Sequence, residues 1–225
     1  MTATSVSEAV ATRRSIRDFL DTPVDLTTLK RIMDKARFAP SGCNFQPWEA
    51  SILTGEPLRA LQDKLKDAAP QDPPEYDWSA PSASPAYKAR LDQVSAGMYG
   101  AMGIAREDRA ARREFYQGNT VSFGAPALLL CYFPRFMGPP QWSDVGMWLQ
   151  TVMLLLREEG LDSCPQEYLW RYARLIKDFL GVSDETHIFF CGLAIGYRNA
   201  DMPVNNFERT RVPLDEQVRF IGFDG

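Results

Sequence analysis

The chain has 225 residues, 45% of them hydrophobic and 24% charged, with a formal net charge of −4. A chain of this length can bury about 70% of the surface it exposes when unfolded, so a core of one large domain or two small ones is within reach. The acidic balance argues against a broad nucleic-acid or anionic-membrane surface. A single histidine and four scattered cysteines argue against a metal site.

The spacing predicts a short helix over residues 5–13, running into the basic stretch RRSIRDF. Asp25 is the expected N-cap of a second helix, with Leu29, Ile32, Met33 and Ala36 on one face and Pro40 ending it. WEASILT reads as a strand, followed by a helix carrying Leu58, Leu61 and Leu65. Residues 70–86, with five prolines, read as a surface loop or, given Tyr76, Trp78 and the adjacent Tyr87, as a lid. Helices are expected over 86–104 and 107–117, and APALLLCYF is expected to be a buried strand. A helix apolar nearly all round is expected over 143–159, stopped by Gly160, and another over 166–180, stopped by Gly181. The apolar run at 145–156 is too short to span a membrane. HIFFCGLAIGY reads as a second buried strand, and the tail after Pro213 as strand-like. The class is α+β or α/β, a sheet between helical layers. Four isolated thiols and no apolar leader predict a reducing, cytoplasmic setting.

Two small basic clusters interrupt this acidic chain: Arg13, Arg14 and Arg17 around Ser15, and Arg209 with Arg211 in ERTRVP. Guanidinium groups grip phosphate bidentately, so the pair suggests one anionic ligand held from two directions. In PSGCNFQPW, Ser41, Asn44 and Gln46 offer a hydroxyl and two carboxamides, framed by Pro40 and Pro47 and closed by Trp48, which reads as core packing. Neither GxGxxG nor GxxxxGK[ST] nor GxSxG occurs, and His187 opens an apolar strand, where a structural role is expected. Glu158 and Glu159 read as solvated surface, and Cys43 as a buried inert thiol. Arg106, Arg109, Arg112 and Arg113 read as a solvated face partnered by Glu107, Asp108 and Glu114. Ligand-binding polar groups without a side-chain acid, base or nucleophile point to a cofactor that brings its own chemistry.

In RRSIRDF, PSGCNFQPW, DVGMWLQTVMLLLREEGLDSCPQEY, GLAIGY and ERTRVP, the chain resembles the FMN-dependent nitroreductase family along essentially its whole length. The resemblance implies one α+β domain over 1–225, with three α/β/α layers and a mostly antiparallel central sheet. It implies an intertwined homodimer, with 70–120 as a variable helical lid region and 212–225 as a C-terminal arm embracing the partner. By position it implies that Arg13, Ser15, Arg209 and Arg211 hold the FMN phosphate, with Arg14 nearby, and that Arg17 lies beside flavin N1 and O2. Ser41, Asn44 and Gln46, with Pro40 as a further candidate, would reach the flavin of the other subunit. Pro165 and Gln166 would lie against the ring, with the Glu167 amide at N5; Asn119 is a further candidate contact. Tyr76, Trp78, Tyr87, Phe115, Tyr116 and Phe123 are candidates for a roof over the flavin that stacks on an aromatic substrate.

The implied activity is NAD(P)H-dependent nitroaromatic reduction by ping-pong hydride transfer through flavin N5. A nitro group would be taken to the nitroso compound and on to the hydroxylamine. The residues leave NADH and NADPH open. They also leave open quinone or enone reduction, reductive dehalogenation and oxygen-dependent flavin fragmentation on the same fold, and a non-catalytic flavin-binding protein. Dehalogenation is lowered because Glu75 and Tyr76 have no lysine after them.

Overall fold

The structure is a computed structural model describing residues 4–77 and 83–223. Side-chain caps set the first two helix starts. Ser5 accepts from the Glu8 amide at 3.2 Å and opens α1 (Val6–Thr12). Asp25 accepts from the Thr28 amide at 2.8 Å and opens α2 (Leu26–Ala36), at the expected position. Then follow β1 (Glu49–Thr54), α3 (Gly55–Asp67), α4 (Pro85–Ala101), α5 (Arg109–Gln117), β2 (Ala127–Pro134) and α6 (Pro139–Glu158). The order closes with β3 (Asp162–Gln166), α7 (Ala173–Leu180) and β4 (His187–Gly196). Gly160 and Gly181 stop their helices in left-handed conformation (φ 76° and 69°), which a side chain at Cβ disfavours.

The four strands pair antiparallel in the order β1-β2-β4-β3. Side chains of β2 alternate between two cores. Leu129, Cys131 and Phe133 face α2 and α6, where they meet Ile32, Val152 and Leu156. Leu128 and Leu130 face α3 and α7, where they meet Leu61, Leu65 and Ile176. The result is the three-layer α/β/α arrangement. A bulge pairs Cys131 with Cys191 and Tyr132 with Phe189, leaving Phe190 as the extra residue of β4.

Several expectations need correction. The stretch 166–180 is not one helix: a 3-10 turn over Glu167–Tyr172 precedes α7, and Asp162–Gln166 is a strand. DSCPQ is poor in β-formers, and its proline is tolerated because β3 lies at the sheet edge. The tail after Pro213 forms a 3-10 turn, Leu214–Glu216, rather than a strand. Among the described residues no strand pairs with it. Helix α6 starts at Pro139, four residues early, because proline is well suited to the first helical turn. It is also two-faced: Val145, Trp148 and Val152 are buried, while Gly146, Met147 and Gln150 are exposed. Glu158 and Glu159 are not merely solvated, since they pair with Lys35 at 3.1 Å and Arg31 at 2.7 Å and so clasp α6 to α2.

Residues 70–77 are fastened down. Glu75, 3% exposed at its side chain, accepts from the fully buried Lys177 ammonium at 2.7 Å, from Arg135 at 2.9 Å and from the Phe189 amide at 3.2 Å. The Tyr76 hydroxyl donates to the Phe190 carbonyl at 2.9 Å, and its ring packs edge-on against Trp142. Among the described residues no helix is long and apolar enough to cross a membrane.

Candidate functional site

RRSIRDF is laid along the free edge of β3. Ser15 forms a parallel bridge with Ser163, and the Ile16 amide donates to the Ser163 carbonyl at 3.0 Å. Asn205, 1% exposed, joins the tail to the same segment. Its Oδ1 accepts from the Arg17 amide at 2.8 Å, and its Nδ2 donates to the carbonyls of Asp18 and Asn199 at 2.8 and 2.9 Å. Arg209 donates to the carbonyls of Arg13 and Ala11, and Arg14 donates to that of Phe207. Residues 196 positions apart are thereby brought together. Arg13, Arg14, Ser15 and Arg17 line one cavity of about 830 Å³ with Arg209 and Arg211. The Arg13 pKa is lowered, first by burial and then by the Arg209 and Arg211 charges. Cations crowded in this way favour an anion between them.

Arg17 and Val94 also line a second cavity of about 220 Å³, so the two cavities adjoin at these residues. Pro165, Gln166 and Glu167 line this second cavity, together with Asn119. Phe115, Tyr116 and Phe123 line it too. Gln166 Nε2 donates to the Asn119 carbonyl at 3.0 Å and to its Oδ1 at 3.2 Å, while Gln166 Oε1 is buried with no partner. A buried acceptor left unmade at a cavity wall suits a ligand N–H. Burial pushes the Cys164 thiol up to about 11, which keeps it protonated and inert. Gly118 is needed for the wall, because a Cβ there would lie 2.8 Å from the Phe123 ring.

Other expected residues lie elsewhere. The loop holding Pro40, Ser41, Asn44 and Gln46 lines neither cavity, and Asn44 and Gln46 are exposed. It is nonetheless rigidly set. The Gly42 amide is 3.2 Å from both oxygens of the buried Asp144, the Gln46 amide donates to Ser41 Oγ at 3.0 Å, and the Gln46 side chain donates to the Asn44 carbonyl. Cys43, Asn44 and Gln46 all have positive φ (51°, 59° and 49°), conformations that cost about 1 to 3 kcal/mol each and cluster at functional sites. Cys43 is exposed, not buried, because this left-handed turn projects it from the loop. Trp48 stacks on Trp148 at 6.0 Å, as core packing requires. Tyr76 belongs to the core and lines neither cavity. Tyr87 is exposed under Arg90, and Trp78 lies outside the described residues.

Sequence reasoning missed Asn205, although it stands in a doublet of carboxamides. It also missed Tyr168, assigned to a helix, and Leu91 and Met98 of α4, whose pattern is too weakly two-sided to single out a ligand face. The carboxylate partners expected for the α5 arginines do not form: Asp108 caps the helix at the Ala111 amide (2.9 Å) instead.

A layered α/β/α fold here carries two adjoining cavities, one basic and one lined by aromatic rings, a combination suited to a flat ligand with an anionic tail. The chain belongs to the nitroreductase family, whose sequence signature matches residues 10–197. It is 37% identical to a 4-nitrobenzoate reductase of Pseudomonas putida over 96% of this chain and 95% of that one. It is 28% identical to a nitrobenzene nitroreductase of Ectopseudomonas oleovorans, over 98% of each chain. The solved FMN and NADPH-dependent nitroreductase NfnB from Sphigopyxis sp. strain HMH superposes with a TM-score of 0.93, at 45% identity, over 97% of this chain and all of that one. The FMN-dependent NfnB from Mycobacterium smegmatis in complex with NADPH has a TM-score of 0.90 at 26% identity, over 96% and 97% of the two chains.

Proposed function

We propose that this protein is an FMN-dependent, NAD(P)H-consuming reductase of nitroaromatic compounds. The observation that carries the proposal is the pair of adjoining cavities: eight basic or hydroxyl side chains line one, and four aromatic rings and the unpartnered Gln166 Oε1 line the other. These residues fit FMN, with its charged tail and its flat polar-edged ring. When bound, FMN supplies two-electron transfer between the dinucleotide and the nitro compound. Arg13, Ser15, Arg209 and Arg211 hold the phosphate, and Arg14 braces the Phe207 carbonyl. Arg17, at the joint of the two cavities, offers a cation where the ring gains negative charge. Gln166 accepts from the ring edge and Pro165 packs beside it. The Glu167 amide opens a 3-10 turn, so it has no acceptor within that turn and can donate to the ring. Phe115, Tyr116 and Phe123 exclude water and offer stacking surface.

A homodimer belongs to this reading. The rigid loop Ser41–Gln46 contributes nothing to its own protomer's cavity, and its exposed Asn44 and Gln46 are then available to a partner's. We also assign the protein to the cytoplasm, where its four free thiols stay reduced.

The test is anaerobic stopped-flow mixing of flavin-loaded protein with NADH or NADPH, followed by a nitroaromatic or a quinone. Bleaching by a dinucleotide and recovery with the nitro compound are expected. Recovery with the quinone alone would remove nitroreduction and keep the cofactor. A protein that neither donor bleaches would be a flavin-binding protein without this activity.

A further inference from the structure

A third cavity, of about 1130 Å³, opens beside the ring end and shares Tyr116 and Tyr168 with it. Its charge is one-sided: Arg109, Arg112, Arg113, Arg171 and Lys66 face a single carboxylate, Glu114. Lys66 is spoken for by Asp63 at 3.1 Å, and the Arg112 guanidinium lies over the Tyr99 ring at 4.1 Å. Arg109, Arg113 and Arg171 have no ion pair among the described residues. In a protein of net charge −4, unpaired guanidinium groups gathered in one groove are an anion site in waiting. The tyrosines add a flat wall: Tyr116 stacks on Tyr168 at 6.2 Å with 24° between planes, and Tyr168 meets Tyr172 at 6.1 Å. Rings of this kind accept a heterocyclic base by stacking, and Arg171, 5.3 Å from the Tyr168 ring, extends that surface.

We infer that this groove receives the phosphate-bearing adenosine end of the reductant, and that its arginines, by gripping the 2′-phosphate, select NADPH over NADH. The inference rests on the reading of the protein as a dinucleotide-using reductase. Ligand pockets run to about 300–1,000 Å³, and the ring-end cavity of about 220 Å³ is taken up by the flavin ring, so the remainder of a dinucleotide has to lie outside it. A dinucleotide seated at the ring end must continue outward, and the groove past Tyr116 and Tyr168 is lined with the groups its phosphates require.

Calorimetric titration of the flavin-loaded protein with 2′,5′-ADP and with AMP tests this without turnover. Saturable binding of 2′,5′-ADP is expected, with AMP about tenfold weaker or more. The double variant Arg109→Ala/Arg113→Ala should weaken 2′,5′-ADP about ten- to hundredfold with FMN content and far-UV spectrum unchanged. In the same variant the NADPH concentration for half-maximal reduction should rise by a similar factor at unchanged limiting rate. Reoxidation by nitrobenzene and by 4-nitrobenzoate should be unaffected. Unchanged 2′,5′-ADP binding would overturn the inference, and so would a loss confined to 4-nitrobenzoate, which would give the groove to a substrate carboxylate. Equal weakening of AMP would overturn the 2′-phosphate assignment. If neither dinucleotide reduces the wild-type protein, the proposed function fails, while the 2′,5′-ADP isotherm still decides what the groove binds.

Discussion

Asn205 shows how one side chain can join two distant stretches of sequence. Its three hydrogen bonds hold the Arg17 amide and the carbonyls of Asp18 and Asn199. Replacing it with alanine leaves the part-buried Arg17 amide without a partner and removes one of two bonds to each of the Asp18 and Asn199 carbonyls, for an expected loss of about 1 to 3 kcal/mol in urea unfolding. Flavin affinity should fall as well, since Arg17 would be released from its place between the two cavities. An unchanged unfolding midpoint would mean that water replaces the carboxamide without loss. Among the cations, Arg209→Ala/Arg211→Ala should weaken FMN retention about a hundredfold, read as flavin content after gel filtration. Arg17→Ala should slow reduction by the dinucleotide more than it loosens the flavin. Identical reductive rates would remove it from beside the ring. The arginines were conspicuous in an acidic chain, but Asn205 was not, because a buried carboxamide is recognisable only through the backbone groups it satisfies.

At the scale of elements, the segment ahead of residue 78 is an anchor. The Lys177 ammonium is wholly buried between Glu75 at 2.7 Å and Asp184 at 2.5 Å. Glu75→Ala leaves that cation with Asp184 as its one carboxylate and the Phe189 amide without its acceptor, with an expected destabilisation of about 1 to 3 kcal/mol. Deleting residues 72–82 should therefore unfold the protein instead of merely changing its substrate preference. A deletion that stays folded would show that the ion pair carries little of the stability. The Asp184 carboxyl is held below its ordinary range by its hydrogen bond to Lys177, with Lys177 and Arg135 charges adding to the effect. A depressed folded-state value stabilises the protein above the ordinary 3.8, and that contribution is lost as pH falls through the folded value. The urea midpoint should accordingly drop on acidification below about 3.8, and Asp184→Asn should flatten that part of the profile. The periodicity of these segments pointed to helices correctly for α2 and α3. It failed for β3, a five-residue edge strand containing proline, where pairing with β4 overrides weak local preference.

At the scale of the molecule, apolar surface is left over. Val218, Phe220, Ile221 and Phe223 are exposed along the tail, and Met147 is exposed on α6. A monomer seldom leaves such a set open, and a second copy covers it in the proposed dimer. Light scattering should give twice the chain mass. Removing residues 214–225 should shift the protein toward monomer and reduce flavin content, because the Ser41–Gln46 loop would lose its partner. A truncated protein that stays dimeric with full flavin would dissociate the tail from assembly.

By itself the sequence determined the layered α+β class, the main helices and buried strands, and the two arginine clusters. Each is a local signal: hydrophobic period, cap, or unusual charge. Only the tertiary structure decided that these clusters share one cavity, since 196 positions of chain separate Arg13 from Arg209 and the bond between them is made by folding. Tertiary packing also turned Tyr76 inward and kept Phe115, Tyr116 and Phe123 at the cavity. An aromatic side chain carries the same preference for burial in either place, and its neighbours alone decide which surface it covers.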